Sequence, residues 1–176
     1  MKSTLLSAIL TMLAITTASP VERATPTDFK SQMLASHNYF RDQHSANPLT
    51  WDNSLAASSQ TWANTCNFSH DSAGENLVYR TSAQYWGQFV NMWGTERTKY
   101  NFDKPDFSAA TGHFTQLVWK NTKTVGCAWS KCDGGSGKAI GYYVVCKYSP
   151  PGNYLGQFSA QVGRQTKGSP GDVFTT

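Results

Sequence analysis

The sequence predicts an α+β fold, with helices packed on an antiparallel sheet. Three observations carry this. Three segments with helical spacing of apolar residues fill the first half of the chain. Two runs rich in Val, Ile, Tyr and Trp follow near the end, separated by Asp133-Gly134-Gly135-Ser136-Gly137. Helical segments first and strands last point to segregated layers rather than to alternating βαβ units.

Each element has a local reason. Thr27 or Asp28 caps a first helix carrying Phe29, Met33, Leu34, His37, Phe40 and Arg41 at three-four spacing. Asn47-Pro48 stops it, because a residue before proline avoids helical angles. Asp52 or Asn53 starts a second helix, with Leu55, Ala56, Ser59, Trp62 and Ala63 on one face, running to about Cys66. The alternating stretch Gly74 to Tyr79 reads as an edge strand. A third helix is expected from Thr81 or Ser82, with Tyr85, Trp86, Phe89, Val90 and Trp93 turned inward. Tyr100 to Ala110 reads as a surface loop, and Thr115 to Trp119 as one or two helical turns. Val125–Cys132 and Ile140–Tyr148 then pair as a hairpin, closed by Pro150-Pro151-Gly152. The organisation expected is a signal peptide at 1–18, an arm at 19–26, one domain at 27–162 and a flexible tail at 163–176.

The N-terminus sets the compartment. Lys2 precedes the apolar run Leu5 to Ile15, and Thr16-Thr17-Ala18 offers small residues for cleavage. The run is shorter than the roughly 20 residues of a membrane span. A secreted, extracellular protein is expected. The chain has 176 residues, 15 Lys+Arg against 11 Asp+Glu, and 13% aromatics, which excludes a disordered chain. Its +4 charge is scattered, so nucleic acid is not an expected partner.

Four Cys in a secreted chain allow three pairings. Cys127 and Cys146 sit at similar distances on either side of the hairpin turn, so they are near cross-strand partners. Cys127 and Cys132 are five apart, which on an unbroken strand puts them on opposite faces. The expected disulfides are Cys127–Cys146 and Cys66–Cys132. A metal site built from these Cys is the rival reading, weakened by the absence of a C-x-x-C pair.

The chain contains no H-E-x-x-H, G-x-S-x-G, G-x-G-x-x-G or phosphate loop. What remains is a sparse polar set: His70, Glu75, Glu96 and His113, each beside a turn or helix end. His70 and Glu75 are five apart, about 500° on a helix, so they converge only across a bend such as Ser72-Ala73-Gly74. If the four met, imidazole nitrogens could bind a divalent ion while carboxylates orient the rings. Spacing alone leaves the alternative, four unrelated surface or core residues, open.

Several motifs then fall in one order. Gly112-His113-Phe114-Thr115-Gln116-Leu117-Val118-Trp119 and Tyr142 to Asn153 resemble the two signatures of the CAP superfamily of cysteine-rich secretory, antigen-five and pathogenesis-related proteins. His37-Asn38-Tyr39-Phe40-Arg41, Pro48-Leu49-Thr50-Trp51-Asp52 and Gly74-Glu75-Asn76-Leu77 match as well. The likeness covers roughly residues 29 to 160 and is most evident with the Pry-type pathogen-related proteins of fungi. It implies an α-β-α sandwich with a central antiparallel sheet. It implies that His70, Glu75, Glu96 and His113 form a tetrad in a large cleft that takes zinc or magnesium. His37 and Arg41 are read as structural, bonding to backbone across the core, and His44 as solvated surface.

In sterol-binding members a loop here resembles a caveolin-binding pattern, which Tyr100, Phe102 and Phe107 fit. A sterol is a rigid apolar body with one hydroxyl, and an aromatic loop could close over it. Asn67-Phe68-Ser69 is an N-glycosylation acceptor. The expected function is binding of a sterol or fatty-acid-like lipid by a monomer. An effector acting on a host protein or membrane is the alternative. A metal-assisted hydrolase ranks lower, since all four Cys are expected to be paired and no activated nucleophile is visible.

Overall fold

A computed structural model describes residues 28–176. The expected signal peptide and the N-terminal arm lie outside the described residues. The helices are α1 (Phe29–Gln43), α2 (Asn53–Ala63), α3 (Gly87–Gly94), α4 (Gly112–Leu117) and α5 (Phe158–Gln161), with a 3₁₀ turn over Thr95–Lys99. The strands are β1 (Thr50–Trp51), β2 (Glu75–Arg80), β3 (Thr124–Asp133) and β4 (Ile140–Ser149), ordered β1-β3-β4-β2.

Local signals explain most of these boundaries. Asp28 caps α1 by accepting from Ser31 N–H, and Asp52 caps α2 by accepting from Ser54 and Leu55 N–H. The hairpin turn places Gly134, Gly135 and Gly137 at positive φ, where a Cβ would be strained. β3 and β4 pair antiparallel with Cys127 opposite Cys146, and the disulfides are Cys127–Cys146 and Cys66–Cys132, as the strand parity predicts.

Two elements differ from expectation. α3 starts at Gly87, not near Thr81. Its first free N–H groups are met by a side chain from elsewhere: Gln32 Oε1 of α1 accepts from Trp86 and Gly87 N–H. The sheet is mixed, because β1 adds a two-residue parallel rung on β3. Two residues are too few to show a strand period.

The sheet separates two apolar layers. On one face Val78, Cys127, Val144, Cys146 and Tyr148 pack against Met33 and Phe40 of α1, Phe89, Val90 and Trp93 of α3, and Phe114 and Leu117 of α4. On the other, Leu77, Tyr143, Val145 and Cys132 pack against Trp62 and Ala63 of α2. This is the expected sandwich, built by the period of two along β2 and β4.

Arg41 bonds backbone across the core as expected, whereas His37 bonds backbone within its own helix and a side chain across the core. His37 bonds the Met33 carbonyl and the Tyr148 hydroxyl. Arg41 donates to the carbonyls of Asn47, Leu117, Trp119 and Thr122, tying α1 to the α4 end. His44 corrects the expectation of a solvated residue. It is fully buried, its Nδ1 bonds the Gly163 carbonyl, and its ring stacks on Phe102 at 6.0 Å and meets Phe114 at 4.9 Å. The segment 163–176, expected as a tail, is bonded along its length to α1, α3 and the 3₁₀ turn. Composition carried no sign of those partners.

Candidate functional site

β2 is an edge strand, and its alternation builds the site. Glu75 points to the α2 side, with its register partner Lys147. Its Oε2 lies 3.2 Å from His70 Nδ1 and accepts from Asp71 N–H. Its Oε1 is buried 3.4 Å from Lys147 Nζ. Lys147 also donates to Asp71 Oδ2 and Ser72 Oγ, at 2.5 and 3.0 Å. One ammonium therefore fixes the loop that carries His70. Gly74, at φ 68° with Pro151 against it, makes the bend between His70 and Glu75.

The neighbouring residue points the other way. Asn76 Nδ2 donates to the His113 carbonyl and to Tyr148 Oη, at 3.0 and 3.2 Å. His113 opens α4. Its Nδ1 lies 2.7 Å from Glu96 Oε1, and Glu96 Oε2 accepts from Phe114 N–H. Glu96 thus orients the ring and satisfies one free donor of α4, whose residue Thr111 provides no side-chain cap. Trp93 stacks beside the His113 ring at 6.2 Å and donates from Nε1 to the Leu77 carbonyl.

The four expected residues are therefore two His–Glu pairs, one formed across the bend before β2 and one between the 3₁₀ turn and the start of α4. In both pairs the carboxylate engages Nδ1, the arrangement that holds a ring proton and presents Nε2 outward. His70 is 59% exposed and His113 31%, while Glu75 is enclosed. In each pair the imidazole is the nitrogen donor of the type a divalent ion takes, and the carboxylate is its support. Among the described residues, the group whose ligand atoms all lie within 4.8 Å of one another is instead His37 with Cys127 and Cys146. That group is not a metal site: both sulfurs are committed to a disulfide, and both ring nitrogens of His37 are bonded.

Beside Glu96 and His113 lies a cleft of about 450 Å³, walled by Phe68, Leu77, Val78, Tyr79, Met92 and Trp93. Phe68 and Met92 are 45% and 40% exposed at its mouth. A larger groove, about 970 Å³, runs along the outer face of α1 beneath Lys167 and Phe174. Its charged residues, Asp42 and Lys167, are paired with each other, so it offers no comparable polar centre.

The aromatic loop is not one free surface. Tyr100 is buried against Phe102 and Phe114, at 4.8 and 5.7 Å, and Phe102 lies between Phe114 and His44. Burial pushes the Tyr100 hydroxyl up to about 12. Phe107 alone of the three is exposed, at 50%. Asn67 is half-buried, with its Oδ1 accepting from Lys138 Nζ and its carbonyl accepting from the Tyr143 hydroxyl. Sequence reading missed Lys147 and Trp93 as supports of the site. Alternation from Cys146 could have placed Lys147 opposite the disulfide, but its partners come from a distant loop.

Residues 34–148 match the cysteine-rich secretory protein (CAP) family. The chain belongs to that family. It is 34% identical over 163 residues to Pathogenesis-related protein 1 of Arabidopsis thaliana, covering 89% of this chain and 98% of that protein. It is 38% identical over 144 residues to Protein PRY2 of Saccharomyces cerevisiae, covering 77% of this chain but only 41% of the yeast protein. Among solved structures, Hookworm Platelet Inhibitor aligns with a TM-score of 0.64 at 20% identity, covering 81% of this chain and 80% of that one. NaASP2, solved with Zn²⁺, aligns at 0.62 and 21%, covering 77% and 86%. These structures agree with the CAP fold. No helix among the described residues is long and apolar enough to cross a membrane.

Proposed function

We propose that this CAP-domain protein is a secreted binder of sterols or similar small lipids, with a His/Glu centre able to hold zinc or magnesium. The observation that carries this is the cleft itself: six apolar or aromatic walls ending at the Glu96–His113 pair. Its size lies within the roughly 300–1,000 Å³ range of small-molecule sites. An amphipathic lipid suits such a shape, with the rings or chain against Met92, Trp93 and Leu77 and the hydroxyl or carboxylate toward His113. A bound divalent ion would supply a positive centre for that polar end. His70 and His113 would hold it, and Glu75 and Glu96 would hold their ring protons.

The loop of Tyr100, Phe102 and Phe107 enters this reading through Phe107, since Tyr100 is buried and Phe102 is packed against the core. A glycan on Asn67 would stand next to Phe68 at the cleft mouth. Action on a host protein or membrane is compatible with the same cleft.

Binding of radiolabelled cholesterol and of a fluorescent fatty acid by the purified protein, with and without EDTA, tests the proposal. Met92→Asp and Phe68→Ser should remove binding, and His113→Ala should remove any part that EDTA removes. Loss on Phe107→Ala alone would move the site to the loop. Absence of binding in the wild-type protein would end the lipid reading.

A further inference from the structure

The C-terminal segment is held at several points. Arg97, 3% exposed, donates to the carbonyls of Ser169, Pro170 and Asp172 and to Gln43 Oε1, and it lies 5.1 Å from the Phe40 ring. Phe174 is buried; its N–H donates to Asn91 Oδ1, and its carbonyl accepts from Asn91 Nδ2 and the Tyr85 hydroxyl. Its ring fills space beside Gly87 and meets Tyr39 at 6.0 Å. Between α1 and this strap, Thr166 N–H donates to the Gln43 carbonyl.

Arg97 is the residue after Glu96, on the same five-residue 3₁₀ turn. Successive residues on such a turn leave it about 120° apart. Glu96 therefore reaches into the cleft while Arg97 reaches into the strap, and one short piece of backbone is held from both sides. A 3₁₀ turn of this length is weakly self-supporting. Three of the four acceptors of the Arg97 guanidinium belong to the strap. Without them a buried cation must find water, and the turn that carries it must move.

We propose that Arg97 and the strap are positioning elements for the cleft: they set Glu96, and through it the His113 ring and the start of α4. The proposal deepens the cleft reading and takes its functional meaning from it, but the geometry it concerns exists with no ligand bound.

The test compares the full chain with one ending at Gln165, by NMR of the imidazole N–H protons. The His113 Nδ1 proton, held by Glu96, is the readout. The His37 Nδ1 proton, held by the Met33 carbonyl in the core, reports on the fold. Truncation should speed exchange of the His113 proton at least about tenfold, the loss of one charge-assisted hydrogen bond, and leave that of His37 unchanged. A synthetic peptide of residues 166–176 should restore it, and the same peptide with Phe174→Ala should not. An unchanged His113 signal in the truncated chain would overturn the proposal. Should truncation release the His37 proton too, the full-length Phe174→Ala variant decides by the same comparison. A wild-type protein that binds neither lipid nor zinc would end the cleft reading and leave this comparison intact.

Discussion

Lowering the pH from 7 to 4 forces protons onto two imidazoles that the fold keeps neutral. Burial pushes His37 and His44 each down to about 4 from an ordinary 6.5. The hydrogen bonds to the Met33 and Gly163 carbonyls oppose the shift, and a nearby guanidinium adds to it in each case. Arg41 lies near His37 and Arg97 near His44, and no carboxylate is among the groups that shift either ring. Because the folded value is depressed, the stabilisation is fully present above pH 6.5 and lost as pH falls toward 4. Below that both states are protonated and the loss stops. At 1.36 kcal/mol per unit, a shift of this size amounts to about 3 kcal/mol for each ring at pH 4. Two rings together remove about 6 kcal/mol, a large part of the 5–15 kcal/mol typical of a domain. Urea unfolding followed by tryptophan fluorescence at pH 7, 5.5 and 4 measures it. His44→Phe loses the bond to the Gly163 carbonyl, so it starts less stable, but its dependence on pH should be about half that of the wild type. Equal pH slopes in the two proteins would refute the reasoning.

Other substitutions separate the roles of particular side chains. Gly94→Ala would put a Cβ within 2.2 Å of the Phe40 ring, so thermal unfolding should show a loss of about 1–3 kcal/mol. Arg41→Met removes a donor from four carbonyls, of which that of Trp119 keeps Thr122 N–H, and should destabilise by about 3–5 kcal/mol, read from urea midpoints. Tyr100→Ala should cost about 3 kcal/mol or more, whereas Phe107→Ala should stay within about 0.5 kcal/mol, so only the latter probes lipid binding without disturbing the fold. Lys147→Met removes the ammonium beside the enclosed Glu75 and should cost about 3 kcal/mol; limited proteolysis should then cut first in the loop that carries His70.

Much of the architecture was legible because its causes are local. Asp28 and Asp52 cap helices through donors within three residues, and the Gly-rich turn forces the hairpin. Parity along β3 then separates the two disulfides. The helix start at Gly87 was not legible, because its cap is the side chain of Gln32. His44 resembles any polar residue at a helix end; only the arrival of Phe102, Phe114 and Gly163 buries it. The four site residues were found by motif, but their grouping as two pairs follows from the bend at Gly74 and from the approach of the 3₁₀ turn to α4.

From the order of residues alone come the first two helices with their caps, the hairpin, the disulfide pairing and the identity of the His and Glu side chains. Each rests on interactions over a few positions or on a fixed period. Tertiary structure alone decided that residues 163–176 pack as a strap, that Tyr100 and Phe102 serve the core, and that Lys147 supports the His70 loop. Those outcomes depend on partners a dozen or more residues away, on other elements. A chain's composition records that a group is polar or aromatic, and not which distant surface will remove it from water.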